Sequence, residues 1–114
     1  MNIYKILEQA ANIARNNDDK KHFSHGGIGI RYDGPMVRAI NGAQPMPNPR
    51  HHCEARLIRK MDKGGIILVA RVVANGDWAM SKPCIDCENL MRKCYITKAY
   101  YTIAPKEYGC IHFH

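Results

Sequence analysis

A layered α/β sandwich is the fold class this sequence predicts. Three observations predict it. Apolar residues recur at helical spacing near the amino terminus and again after residue 52. Short runs rich in β-branched residues, bounded by Gly, Pro and Asn, stand between and after the helical segments. The resulting order, helix, two strands, helix, strand, helix, strand and a short tail, demands crossover connections, which lay helices on the face of a sheet. With 114 residues, the chain suffices for one compact domain, residues 1–114, and not for two.

The elements follow in order. Ile3, Ile6, Leu7, Ala10, Ile13 and Ala14 line one face of a helix over residues 2–16, and "NNDDKK" ends it. "GGIGIRYDG" and "PMVRAING" read as two strands around a tight turn at Asp33, Gly34 and Pro35. "AQPMPNPR" carries three prolines in eight residues and must be a stiff loop. Residues 52–61 return to helical period, with Glu54, Leu57, Ile58 and Met61 on one face and Arg56, Arg59 and Lys60 on another, continued by Lys63. "GGIILVARVV" is a buried strand, "ANGDW" a turn, "CENLMRKCYI" a helix and "KAYYTIA" a strand. Only "APKEYGCIHFH" then remains, too short for a parallel crossover. If "CIHFH" is a strand, it returns antiparallel, as a hairpin.

Bulk composition narrows the function classes. No apolar run approaches the ~20 residues that span a bilayer, and the amino terminus lacks the apolar block of a secretion signal. A soluble, cytoplasmic protein with no membrane partner is the expectation. Lys and Arg number 17 against 10 Asp and Glu, a formal charge of +7 that favours anionic partners such as nucleotides or nucleic acid. Five cysteines cannot pair completely within one chain, and a C-x-x-C spacing points to metal or redox work.

Two clusters carry chemistry. The first is "HHCEA", residues 51 to 55, and the second is "SKPCIDC", residues 81 to 87. Cys84 and Cys87 lie one helical turn apart, so both sulfurs can face one metal. A helix N-terminus also favours their thiolates. His52 would supply an imidazole and complete a three-ligand zinc site with an open fourth position for water. Glu54, two residues on, need not bind the metal and is placed to move protons. A structural zinc knuckle remains open, because Cys53, Cys94, Cys110, His51, His112 and His114 offer further ligands.

Taken together, His52-x-Glu54 and Pro83-Cys84-x-x-Cys87 match the H-x-E and P-C-x-x-C signature of zinc deaminases. From about residue 26 to 103 the chain resembles the cytidine and deoxycytidylate deaminase superfamily. "HGGIGIRYDGPMVRAING" is similar to its opening hairpin, "HCEA" to its H-A-E, "SKPCIDC" to its S-x-P-C-x-x-C, and "KAYYT" to the strand that follows. The resemblance implies a three-layer α/β/α sandwich with a five-stranded mixed sheet, one Zn2+ per subunit and a homo-oligomer. It implies hydrolytic removal of the exocyclic amino group of a nucleobase, foremost cytosine in a free (deoxy)cytidine nucleoside or nucleotide. It also gives Asn41 a contact to the substrate sugar. Ser81 and His25 join Asn41 as candidate substrate contacts. Cys53 stands where the family commonly has alanine and is expected to pack. The hairpin ending resembles the free-nucleoside branch, whereas His52 matches the nucleotide and tRNA branches.

Other residues invite weaker readings. Cys110, His112 and His114 alternate along the last strand, on one face, where water-facing polar residues are the simpler account. Trp78 is placed to cover the core. The basic helix face suits either solvent or a nucleic-acid backbone. Two alternatives to a free-nucleotide enzyme follow: a deaminase acting on cytosine or adenine within single-stranded DNA or RNA, and a non-catalytic zinc-stabilised binding domain.

Overall fold

The computed structural model describes residues 1–16, 24–40 and 53–113, without the side chains of Ser24, Ile40 and Cys53. The first helix, α1 (Ile3–Arg15), opens where Asn2 Oδ1 accepts from the Lys5 amide at 3.1 Å. This cap satisfies one of the amides left unpaired at a helix start. β1 (Ser24–Ile30) and β2 (Met36–Ile40) form an antiparallel hairpin. Its turn is closed by the Gly34 amide donating to the Arg31 carbonyl, with Gly34 at φ +111. α2 (Cys53–Met61) leads into β3 (Ile66–Val72). A two-residue strand, β4 (Trp78–Ala79), precedes α3 (Ile85–Lys93). β5 (Lys98–Ala104) and β6 (Glu107–His112) close the chain.

The sheet runs β2-β1-β3-β5-β6, with β4 paired to β3 off this path. β3 and β5 are parallel, and the remaining pairs are antiparallel. The five-stranded mixed sheet with an antiparallel last strand is therefore present, with β4 as a sixth strand. "ANGDW" is thus a turn that ends in a strand. The Val73 amide donates to the Asp77 carbonyl at 3.0 Å, and Gly76 sits at φ +89. Trp78 then pairs with Val72, too short a run to show in a period-2 pattern. β6 begins at Glu107, three residues before "CIHFH", because the hairpin with β5 continues to Ala104 across an irregularity.

Two apolar clusters hold the layers. On one face α1 lays Leu7, Ala10, Ala11 and Ala14 against Ile28, Leu68, Ala70 and Val72. On the other, Leu57, Ile58 and Met61 of α2 and Cys87 and Met91 of α3 meet Ile67, Val69 and Ala99. The alternation along β3 sends successive side chains to opposite layers, so every residue from Ile67 to Ala70 is buried. Trp78 covers the α1 core, its ring 5.1 Å from Tyr4. No described helix is long and apolar enough to cross a membrane.

Candidate active site

Connection geometry brings the two sequence clusters together. α2 is joined to β3 through residues 62–65, and α3 to β5 through residues 94–97, so each helix runs antiparallel to the strand it precedes. β3 and β5 are parallel. Both helix N-termini therefore open at the carboxyl edge of these strands, where α/β sheets form their ligand crevices. The tight turn after α2 needs four consecutive positive φ values, at Asp62, Lys63, Gly64 and Gly65. At Gly65 a Cβ would stand 2.3 Å from the Ile30 carbonyl, so glycine is required there.

The second cluster is delivered by β4 and the stretch after it. The Ser81 amide donates to the Thr102 carbonyl at 2.9 Å, and the Thr102 amide donates back to Ser81 Oγ at 2.8 Å. Their hydroxyls lie 2.9 Å apart. Thr102 Oγ1 also donates to the Ala79 carbonyl at 2.7 Å. Ser81 and Thr102 are both buried, so these bonds are strong constraints on where the chain goes. Arg71, at the end of β3, adds a contact from Nη1 to the Met80 carbonyl at 3.3 Å. Buried Pro83 follows and commits the chain to an extended entry into α3.

Cys84 is the N-cap of α3, extended at φ −70 and ψ 165, and its thiol does not cap the helix. Its side chain is exposed, whereas Cys87 in the first turn is fully buried. Across the crevice, Glu54 in the first turn of α2 is 5% exposed. The Cys87 thiol donates to Glu54 Oε2 at 3.8 Å. Burial, the Glu54 charge and the neighbouring Cys84 push the Cys87 thiol far above the ordinary thiol range. A buried thiol facing a buried carboxylate is a donor set that calls for a cation, which would relieve both the desolvation and the like charge.

Cys87 thus meets Glu54 across the crevice and Cys84 within its own turn. His52 and Asn41 lie outside the described residues, as do His51 and His114. Among the described residues alone, no group of three His, Cys, Asp or Glu is arranged to hold a metal. His25 is not before the first strand, as expected, but inside β1, in register with Arg71 of β3. The pairing with β3 extends β1 two residues beyond its glycine-rich run. Ser81 directs its hydroxyl inward, to Thr102 and to the Val69 carbonyl at 3.2 Å. Thr102 and Arg71 escaped sequence reasoning, since their partners are set by pairing across strands and no local pattern marks them.

No family model matches this sequence, and no curated protein matches it. Solved structures do. A cytidine deaminase from Burkholderia pseudomallei superposes with a TM-score of 0.68 at 15% identity, covering 99% of this chain and 94% of that one. One from Mycobacterium leprae gives 0.57 at 20% identity, covering 96% and 93%. A variant of the Mycobacterium tuberculosis cytidine deaminase gives 0.56 at 15% identity, covering 92% and 90%. The fold of this chain is the cytidine deaminase fold.

Proposed function

We propose that this chain is a zinc-dependent hydrolytic deaminase acting on cytosine in a free (deoxy)cytidine nucleoside or nucleotide, with uracil and ammonia as products. The observation that carries the proposal is the buried Glu54 facing the buried Cys87 thiol across two helix N-termini. A buried carboxylate whose neighbour is a prospective metal ligand is placed for proton transfer, and such buried ionisable groups cluster at functional sites.

Cys84, Cys87 and His52 would hold the metal. Zinc held by these three residues would supply Lewis acidity that activates water near neutral pH. Glu54 takes a proton from the attacking water and returns protons to the ring nitrogen and to the departing amino group. Water adds at C4, the C4–N4 bond breaks and ammonia leaves, so the atoms balance. Glu54 stands in the first turn of α2, beside the amide groups that are unpaired at a helix start. The Ser81–Thr102 bonds keep Cys84 and Cys87 in place. Asn41 and His25 are the proposed contacts to sugar and substrate, and Ser81 acts by holding the segment that precedes the cysteines. A homo-oligomer belongs to the same proposal.

The test is ammonia release from cytidine, deoxycytidine and their monophosphates by the zinc-loaded protein. Turnover of at least one, with uracil as product, is the expected result. No turnover on all four would overturn the proposal.

A further inference from the structure

A second feature lies among α1, β2 and α2. A pocket of about 520 Å³ is lined by Ile13, Arg38, Ala39, Arg56, Arg59 and Lys60. None of Glu54, Cys84 and Cys87 lines it. Arg56, Arg59 and Lys60 stand at i, i+3 and i+4, so helical geometry alone puts them on one face. Arg38 comes from the neighbouring strand β2. The walls are tied together, because Lys60 Nζ donates to the Arg38 carbonyl at 2.6 Å and Arg31 Nη1 donates to the Lys60 carbonyl at 3.3 Å.

No carboxylate is among the described lining residues. The ion pairs among the described residues join Arg15 to Glu8 and Arg31 to Asp33 and Asp62, and none involves Arg38, Arg59 or Lys60. Of the four cations in the lining, Arg38, Arg59 and Lys60 make none of these ion pairs; like charges around one cavity raise their mutual energy, and a bound anion relieves it. Three of the four are arginines, whose planar forks fit phosphate oxygens in pairs. The volume lies within the roughly 300–1,000 Å³ of ordinary small-ligand pockets and exceeds what one simple ion fills. Ile13 and Ala39 add an apolar floor.

We infer that this pocket, lined by none of Glu54, Cys84 and Cys87, is a phosphate-recognition site for a ligand carrying several phosphates, and its test is independent of the deaminase proposal. Two sources share that chemistry: a free polyphosphorylated nucleotide and the backbone of a single-stranded nucleic acid. The probes are inorganic tripolyphosphate, followed by calorimetry, and a labelled short oligothymidylate, followed by anisotropy. Neither carries an amino group on a base, so neither reports on deamination.

Tripolyphosphate should bind saturably and more weakly as salt rises. Arg38→Glu combined with Arg59→Glu should weaken it about tenfold and lower the salt slope by about 1 for each cation that no longer meets a phosphate. Lys5→Glu combined with Lys93→Glu changes the net charge equally at exposed sites elsewhere and should leave the affinity within about twofold. Arg59→Gln, a milder change, should give an intermediate loss with an unaltered circular dichroism spectrum. Oligothymidylate that displaces tripolyphosphate marks a nucleic-acid backbone as the source; binding of tripolyphosphate without such displacement marks a free nucleotide. Absence of saturable binding at low salt, or an equal loss in the Lys5 and Lys93 variant, would overturn the inference.

Discussion

The two faces of the sheet are built from similar apolar stock and put to different uses. Under α1 the contacts are apolar and close. Gly26 lets the helix backbone approach so far that a Cβ would stand 2.1 Å from the Ala10 carbonyl. Under α2 and α3 the same sheet supports an apolar core around Leu57, Ile67 and Met91. At the carboxyl edge of β3 and β5, however, that second face gives way to Glu54 and Cys87, and the Ser81–Thr102 pair lies at the same edge, all buried. One face maximises packing. The other accepts buried polar groups, which weaken a fold unless partnered and which chemistry requires. Substitutions on the first face should move stability, and those at the edge of the second should move function.

The largest effect expected is that of Glu54→Gln. It keeps the side chain's shape and removes its capacity to accept a proton. Turnover should fall by about 10²–10⁴-fold, with zinc content and melting temperature little changed. Measured kcat near the parent value would break the contrast between the faces. Gly26→Val probes the opposite side. The added atoms meet α1 backbone, which cannot move aside as a flexible side chain would, so the chain should lose about 3 kcal/mol in urea unfolding. Activity per folded molecule should survive.

Thr102→Val sits between these cases. It leaves the Ala79 carbonyl and Ser81 Oγ without their hydroxyl partner, at a cost of about 1–3 kcal/mol. Because Ser81 leads directly to Cys84, zinc affinity should fall as well, readable in a competition with a chelator. Stability lost with zinc affinity intact would uncouple the hydrogen-bond cluster from the metal site.

The smallest effect concerns pH in the metal-free protein. The folded state holds the Cys87 proton more tightly than the unfolded chain, whose thiol titrates near 9.0. The unfolded state therefore binds fewer protons above that pH, and stability must fall as pH rises beyond about 9. The urea midpoint should drop there, and Cys87→Ala should flatten the dependence. An identical alkaline slope in both proteins would show that the buried thiol is not its source.

Much of this was legible in the chain itself, for reasons that differ by residue. Helical spacing of Ile6, Leu7, Ala10 and Ala14 disclosed α1 because the helix has one apolar face and one wet one. Cys84 and Cys87 could be paired on paper because an i, i+3 spacing is a local geometric fact. β4 was hidden because two residues carry no period. His25 fell outside its strand in the sequence reading because only the pairing with β3, in which it opposes Arg71, carries β1 that far. The Ser81–Thr102 bonds join residues 21 apart, and no pattern within either segment announces them.

By itself, the sequence determined the layered α/β class, the antiparallel return of the last strand and the candidate set His52, Glu54, Cys84 and Cys87. Those are consequences of short-range periodicity, connection length and spacing along single helices. Only the tertiary structure decided that Glu54 and Cys87 meet at 3.8 Å, that Ser81 turns its hydroxyl inward, and that Arg38 joins three cations of α2 around one pocket. Each of these depends on parallel pairing of β3 with β5 or on the docking of α2 against β2. Such contacts join distant parts of the chain, and local spacing holds no record of them.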